Sequence, residues 1–385
     1  MTARILTTHA GSLPKGKALT ALHIARNRGE AVSDAEMDAA STAGVQRAIA
    51  KQIESGVDVI NDGEAGREGF FTYVQHRMTG FGGRAQRPMM RDLTMYPSFL
   101  EMLRRGAAAQ DQVTLLAAPE AIGAIAYREA GAIVADMARL GAALAPFEGH
   151  YAGSFVTAPS PGIIAAAMAN RHYPDMASYV NAVATALAVE YRAITAAGHV
   201  LQIDAPDLAM ERHTLFADKP LGDFLDFARV VVAAINTALG DIPRAQVRLH
   251  VCWGNYNGPH ECDVALGDIW PEIAKAQVGG HVLSLGNPRH EHEVALFRQG
   301  ILPKDAALVA GVIDTTSNYV EHEEVVANRL MRAIEAVGDP ARVMAGTDCG
   351  FETSAGFVTI PDDVVWAKLR ALSAGARLAS ARVYG

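Results

Sequence analysis

Cysteine is scarce in this chain: three residues, Cys252, Cys262 and Cys349, among 385. So few, and an odd number, argue against a disulfide framework and for a reducing compartment, with the cytoplasm as the default. No apolar run approaches about 18 residues, so no membrane span is expected and a membrane is not among the partners. The N-terminus MTARILTTHAGSLP lacks the charged-then-apolar pattern of a signal peptide. The net charge is −8 and no basic run stands out, which argues against nucleic acid as a partner. No Gly-x-Gly-x-x-Gly follows the first expected strand, which removes the usual dinucleotide reading. There is no internal repeat and no low-complexity linker.

What is present is an ordinary globular composition, half apolar and one-fifth charged, with ample length for a large core. Short apolar runs read as strands at 4–10, 57–61, 122–127, 153–158, 199–203, 247–252, 280–285, 307–314 and 343–347. Helical patterns alternate with them, at 34–55, 128–142, 163–170, 175–197, 221–239, 268–276, 290–299, 320–336 and 362–379. Ser33 and Glu36 form a capping box for the first of these. Uniformly apolar strands imply a parallel sheet buried on both faces. A single (β/α)8 barrel over residues 1–385 is expected, with a doubly wound open sheet as the alternative. A barrel takes eight strands, so one of the nine candidates lies outside it or is misread. Residues 66–112, rich in Phe, Met, Gly and Arg, read as a partly helical insertion over the barrel mouth.

The stretch 247–252 alternates Val247, Leu249 and Val251 with Arg248, His250 and Cys252. On a strand, residues i and i+2 share a face, so His250 and Cys252 project side by side. The run ARVMAGTDCGF brings Cys349 to another strand end. One imidazole and two thiolates make most of a zinc site, and three protein ligands leave the open position that a catalytic zinc needs. Inert buried thiols are the alternative. Polar residues also collect at other strand ends, where parallel α/β folds place their active sites: His9 with Ser12, Asp62 with Glu64, Asp204 with Asp207, Asp314 with Thr315 and Thr316, and Asp348. Asp and Ser also end strands and cap helices for purely local reasons. His290, Glu291, His292 and Glu293 read as the start of a helix with at least two of them in solvent, and Cys262 as an incidental loop thiol.

The stretches THAGSLP (8–14), VDVINDGEAGREGFF (57–71), LQIDAPDLAM (201–210), LHVCWGNYNGPH (249–260), GNPRHEHE (286–293), GVIDTTSNYVEH (311–322) and AGTDCGF (345–351) together carry a resemblance. The chain resembles the C-terminal barrel of cobalamin-independent methionine synthase and its single-barrel relatives, among them most the epoxyalkane–coenzyme M transferase (2-hydroxypropyl-CoM lyase) branch. The resemblance implies a (β/α)8 TIM barrel of the methionine synthase and uroporphyrinogen decarboxylase type. It implies Zn2+ held by His250, Cys252 and Cys349, and a thiol-substrate pocket lined by Ser12, Glu64 and Asp204. The pattern departs from the methionine synthases at three places. Ser284 or Leu285 stands where they have a further Glu ligand, Thr316 where they have a His, and Ala205 where they have the Glu of Asp-Glu-Pro.

The expected activity is zinc-dependent alkyl transfer to a small-molecule thiol, whose thiolate attacks an electrophilic carbon. Epoxide opening by coenzyme M or a similar thiol is one version, and methyl transfer to homocysteine or another thiol is the other. The partners are then the thiol and an alkyl or methyl donor, with self-association of the chain left open. Glu64, Asp204, His9 and Tyr73 are candidates to protonate the opened oxygen. Arg67, Arg212 and Arg289 are candidates to meet an acidic group on the thiol. Trp253, Tyr256 and Thr316 are candidates for the pocket wall. A metal-free decarboxylase-like barrel and a non-catalytic zinc-binding protein are the competing classes.

Overall fold

The computed structural model describes residues 3–108 and 111–385. In chain order its strands are β1 (Val59–Ile60), β2 (Phe81–Gly82), β3 (Glu120–Ala121), β4 (Gly153–Pro159), β5 (Val200–Asp204), β6 (Val247–Val251), β7 (Gly280–Leu283), β8 (Ala307–Ile313) and β9 (Val343–Thr347). Its α-helices are α1 (Lys17–Asn27), α2 (Asp34–Glu54), α3 (Val74–Arg77), α4 (Arg91–Met95), α5 (Pro97–Ala108), α6 (Gly131–Leu144), α7 (Pro161–Ala167), α8 (Met176–Ala196), α9 (Leu221–Leu239), α10 (Leu266–Ile273), α11 (Glu323–Val337) and α12 (Asp362–Tyr384). The capping box at α2 is formed: Ser33 Oγ accepts from the Glu36 amide at 3.2 Å, and the Ser33 amide donates to Glu36 at 3.1 Å.

Seven strands form one parallel sheet in the order β1-β4-β5-β6-β7-β8-β9. Residues 6–8 join its two edges. The Thr8 amide donates to the Ala345 carbonyl at 2.8 Å, and the Ala345 amide donates to Leu6 at 2.9 Å. On the other side the Val59 amide donates to Thr7 at 2.9 Å. The N-terminal stretch is therefore the eighth stave of a closed (β/α)8 barrel, with β9 on one side and β1 on the other, and the open-sheet alternative falls. The expected strand over 4–10 is much shorter than its apolar run, a parallel bridge at Thr7 and Ala345 flanked by these bonds.

The run at 122–127 is the candidate that lies outside the barrel. The short β3, antiparallel to β2, ends just before it, and Tyr127 makes an isolated bridge to Met78. Its backbone pairs with the segment after α3 rather than with the sheet. The expected helix at 290–299 is a 3-10 helix over Glu291–Gln299.

The barrel interior holds a buried charge. Arg248 on β6 donates to Gln202 at 2.8 Å, to the Thr8 hydroxyl at 3.2 Å and to the His9 carbonyl at 3.2 Å. Its guanidinium lies 3.8 Å from the Phe155 ring centre. Burial lowers its pKa to about 9, against the pull of Asp204. One side chain thus ties the closing stave to β4, β5 and β6.

Residues 85–95 and 112–118 cross the rim. The Ala85 amide donates to Ala118 at 3.0 Å, Arg87 to Leu116 at 2.9 Å, and Val113 to Ala355 at 2.9 Å. Asp92 on α4 pins this cover to the loop after β6, accepting from Tyr256 Oη at 2.5 Å and from the His260 amide at 2.9 Å.

Candidate active site

The ends of β6 and β9 bring three side chains together. One ligand atom each from His250, Cys252 and Cys349 lies within 4.8 Å of the other two. The two sulfurs are 3.8 Å apart. Tetrahedral zinc with sulfur at about 2.3 Å sets two thiolates about 3.8 Å from each other, so the donor set fits that ion in both chemistry and spacing. Among the described residues no fourth His, Cys, Asp or Glu joins the cluster. Ser284, near the place where the resemblance sets a Glu, spends its hydroxyl on the Asp348 carbonyl at 2.5 Å.

Support around the three residues is dense. Asp204 Oδ1 lies 3.0 Å from His250 Nδ1 and also accepts from Gln202 at 2.8 Å. A carboxylate on one ring nitrogen fixes the imidazole, and the other nitrogen, Nε2, lies 3.2 Å from the Asp348 carbonyl. Burial opposes charge on His250, but Asp204 and Cys252 outweigh it and raise its pKa to about 10. Within the thiol pair Cys252 is the readier to ionise, because Cys349 donates to it and His250 lies beside it, against the effect of burial. The β9 loop is pinned as well. Asp348 accepts from the Gly286 amide at 2.7 Å and from Asn287 at 2.9 Å, while burial raises its pKa to about 6. A Cβ at Gly350 would sit 2.0 Å from Ser12 Oγ, so only glycine lets this loop approach the first stave.

Glu64 stands in the turn after β1 with φ 56°, a left-handed conformation that non-glycine residues rarely adopt. Asp62 holds the turn by accepting from the Glu64 amide at 2.9 Å. The Glu64 carboxylate accepts from Thr157 Oγ1 at 2.9 Å. A Cβ on Gly11 would come within 2.8 Å of Glu64 Oε1. Burial first, then the neighbouring Asp204, raise the Glu64 pKa from its ordinary 4.5 to about 7, against Arg67.

These groups share a cavity of about 270 Å3. Ser12, Glu64, Asp204, His250, Cys252 and Cys349 all line it. Seven other expected residues do not. His9 is fully buried behind the rim, with Nε2 at 2.7 Å from Gln52, and burial lowers its pKa to about 4. Arg67 lies one layer out, donating to Thr157 at 3.0 Å and stacking on Tyr73 at 4.5 Å. Trp253 packs in the core, its indole N–H donating to Val264 at 2.7 Å and its ring stacked on His290 at 3.8 Å. Thr316 turns back on Asp314 at 2.7 Å. Tyr73 donates to the buried Glu190 at 2.7 Å, also away from the cavity. Tyr256 does line the cavity, whereas Arg212 and Arg289 do not.

The run at 290–293 divides. His292 is exposed, whereas His290 is buried between Glu293 at 2.9 Å and Asp263 at 2.8 Å. Cys262 meets Met95, with the sulfurs 3.5 Å apart, and stands outside the cluster. The sequence reading missed Arg87, Met90, Phe357 and the stretch 112–116, all of which line the cavity. They carry no periodicity or motif, and only their content of Phe, Met and Arg marked part of the region as a cover.

Fold and site together define a class: closed α/β barrels whose strand ends present an imidazole and two thiols to a small buried cavity. The chain belongs to the cobalamin-independent synthase family, whose catalytic-domain model matches residues 5–94 and 123–363. It is similar to a methionine synthase of Saccharolobus solfataricus, 25% identical over 348 residues, which is 90% of this chain and 88% of that protein. It is 30% identical over 179 residues to the 2-hydroxypropyl-CoM lyase of Xanthobacter autotrophicus, a match covering 40% of this chain and 45% of that protein. This second match therefore spans less than half the length of the lyase. In fold it resembles a solved B12-independent methionine synthase from Shewanella, with a TM-score of 0.74 and 18% identity over 99% of each chain. Among the described residues no helix is long and apolar enough to cross a membrane.

Proposed function

We propose that this protein is a zinc-dependent enzyme that transfers an alkyl or methyl group to the sulfur of a small-molecule thiol. The observation that carries the reading is the 3.8 Å separation of Cys252 and Cys349 beside His250, at the edge of a cavity. Zinc held by these three residues would supply Lewis acidity that keeps a substrate thiol in its thiolate form at neutral pH. The chain's own groups do the rest. Asp204 orients His250. Glu64, with its pKa near 7, holds a proton at the cavity wall for an oxygen that acquires charge. Ser12 and Asp204 offer polar contacts to the thiol substrate, and the cover excludes water and aligns the two reactants.

Opening of an epoxide by coenzyme M or a similar thiol is the version we favour. It is supported by the resemblance to the lyase branch and by Ser284 or Leu285, Ala205 and Thr316 at positions where methionine synthases have Glu, Glu and His. Methyl transfer to homocysteine is the second version, favoured by the match to methionine synthases over 90% of the chain.

The test is elemental analysis of protein purified without chelator, followed by the pH change on adding coenzyme M or homocysteine. About one zinc per chain, with protons released by one of the thiols, is expected. Protein without zinc would return the reading to a metal-free decarboxylase-like barrel. Zinc without turnover of any thiol would leave a metal-binding protein.

A further inference from the structure

Behind Glu64 lies a buried group of charges that the chemistry above leaves unused. Arg67 is 3% exposed and makes one hydrogen bond, to Thr157. Among the described residues no carboxylate lies in salt-bridge contact with it. Its guanidinium is 4.5 Å from the centre of the Tyr73 ring, and the Arg77 guanidinium is 4.7 Å from the same centre. Two cations on one ring repel each other, and the fully buried Glu190 offsets them. It accepts from Tyr73 at 2.7 Å, from Tyr127 at 2.8 Å and from Arg77 at 2.5 Å. Arg67 is thus held from behind by the ring, with its hydrogen bond on the side of β4.

Thr157 on β4 is the link. A hydroxyl has one proton to give and lone pairs to accept with. Thr157 Oγ1 accepts from Arg67 at 3.0 Å and has Glu64 Oε1 at 2.9 Å. With the guanidinium on its acceptor side, its proton goes to Oε1. Gly11 boxes in the same oxygen, since a Cβ there would lie 2.8 Å from it. Among the described residues no hydrogen bond reaches Oε2. Burial is the largest influence on this carboxyl. Of the charges that face it, Asp204 on β5 raises its pKa, and Arg67 and then Lys15 lower it. Lys15 donates to the Glu352 carbonyl at 3.1 Å, and Asp62 is engaged with the Glu64 amide. Of the two cations, only Arg67 is joined to the carboxyl through a shared hydrogen-bond partner.

We propose that Arg67 is a positioning residue for Glu64: it turns the Thr157 hydroxyl onto Oε1, so that the acid form of Glu64 carries its proton on Oε2 and presents it to the cavity. Arg67 itself touches no reacting atom. Its part in catalysis rests on the thiol-alkylation reading above, whereas the placement of the proton does not. Tyr73 and Glu190 act one step further back, by holding the guanidinium against Thr157.

The experiment follows the protonated Glu64 carboxyl across pH by infrared difference spectroscopy, its C=O band identified by loss in Glu64→Gln. Wild type, Arg67→Met, Arg67→Lys and Thr157→Val are compared, and kcat and KM for coenzyme M with epoxypropane are read in the same proteins. Arg67→Met and Thr157→Val each remove a group that favours the carboxylate, so each should move the titration upward by about one pH unit or more. Their kcat should fall by about tenfold or more with KM for the thiol little changed. Arg67→Lys keeps the charge and a donor and should restore both readings. A merely structural Arg67 would change the unfolding midpoint and leave the titration in place, and that result overturns the proposal. So does a titration unmoved in Thr157→Val, which is close to isosteric and decides the matter if Arg67→Met fails to fold. If the titration moves as expected while the wild type turns over no thiol, the placement of the proton is upheld and the thiol-alkylation reading falls.

Discussion

Glu64 combines a left-handed backbone, complete burial and a carboxyl pKa near 7. A carboxyl whose pKa rises on folding binds its proton more tightly in the native state. Its contribution to stability is therefore complete below the ordinary pKa of 4.5 and is lost as pH rises through 7. Glu64→Gln should then gain on the wild type between pH 5 and pH 8 in urea unfolding, while thiol alkylation falls by roughly 100-fold or more. A parallel pH dependence in the two proteins would contradict the assignment. If the cluster holds zinc as proposed, Cys252→Ala and Cys349→Ser should each abolish zinc binding with unchanged far-UV circular dichroism, because the two thiols stand at strand ends on the rim. Asp204→Ala should weaken zinc by roughly 10–100-fold in a competition titration, since it frees the imidazole of His250. The clustering of His250, Cys252 and Cys349 was legible because strand periodicity and strand ends carry them. His9 was misplaced because its stretch keeps a strand's alternation but scarcely any ladder pairing, so its facing was not fixed by pattern. Arg87 left no signal because its position depends on a cover whose path no local rule dictates.

At the scale of elements, β4 to β9 were readable almost to their ends because they are buried on both faces and so are continuously apolar. The run at 122–127 has the same composition and a different fate, since pairing with 78–82 is decided by tertiary contacts and not by propensity. The cover hangs on Asp92, whose carboxylate joins α4 to Tyr256 and His260 and faces His213 at 3.6 Å. Asp92→Ala leaves these buried groups without an acceptor and should cost about 1–3 kcal/mol. Amide exchange should accelerate across 87–116 more than in the barrel strands, with KM for the electrophile rising before kcat falls. Uniform acceleration across the whole chain would refute this local role.

For the molecule as a whole, closure of the barrel runs through residues 6–8 and Arg248. Arg248→Ala removes three hydrogen bonds and opens a void between staves, and should cost about 2–4 kcal/mol in denaturant unfolding. Arg248→Met keeps much of the volume and should cost less, because the apolar replacement carries no desolvation penalty. Equal losses in the two variants would show that the charge contributes nothing beyond its bulk. The joining of the first stave to the last also has a temporal meaning. Leu6 and Thr8 bond to Ala345, and Ser12 seats against Gly350, across nearly the full length of the chain. A ribosome delivers the first of these partners long before the second. Until β9 emerges, the first stave presents an unpaired edge, the cavity has one wall missing and Cys349 has not yet been made. Contacts so distant in sequence make for slow closure, so the meeting of His250 and Cys252 with Cys349 comes late in folding and is the step most exposed to aggregation.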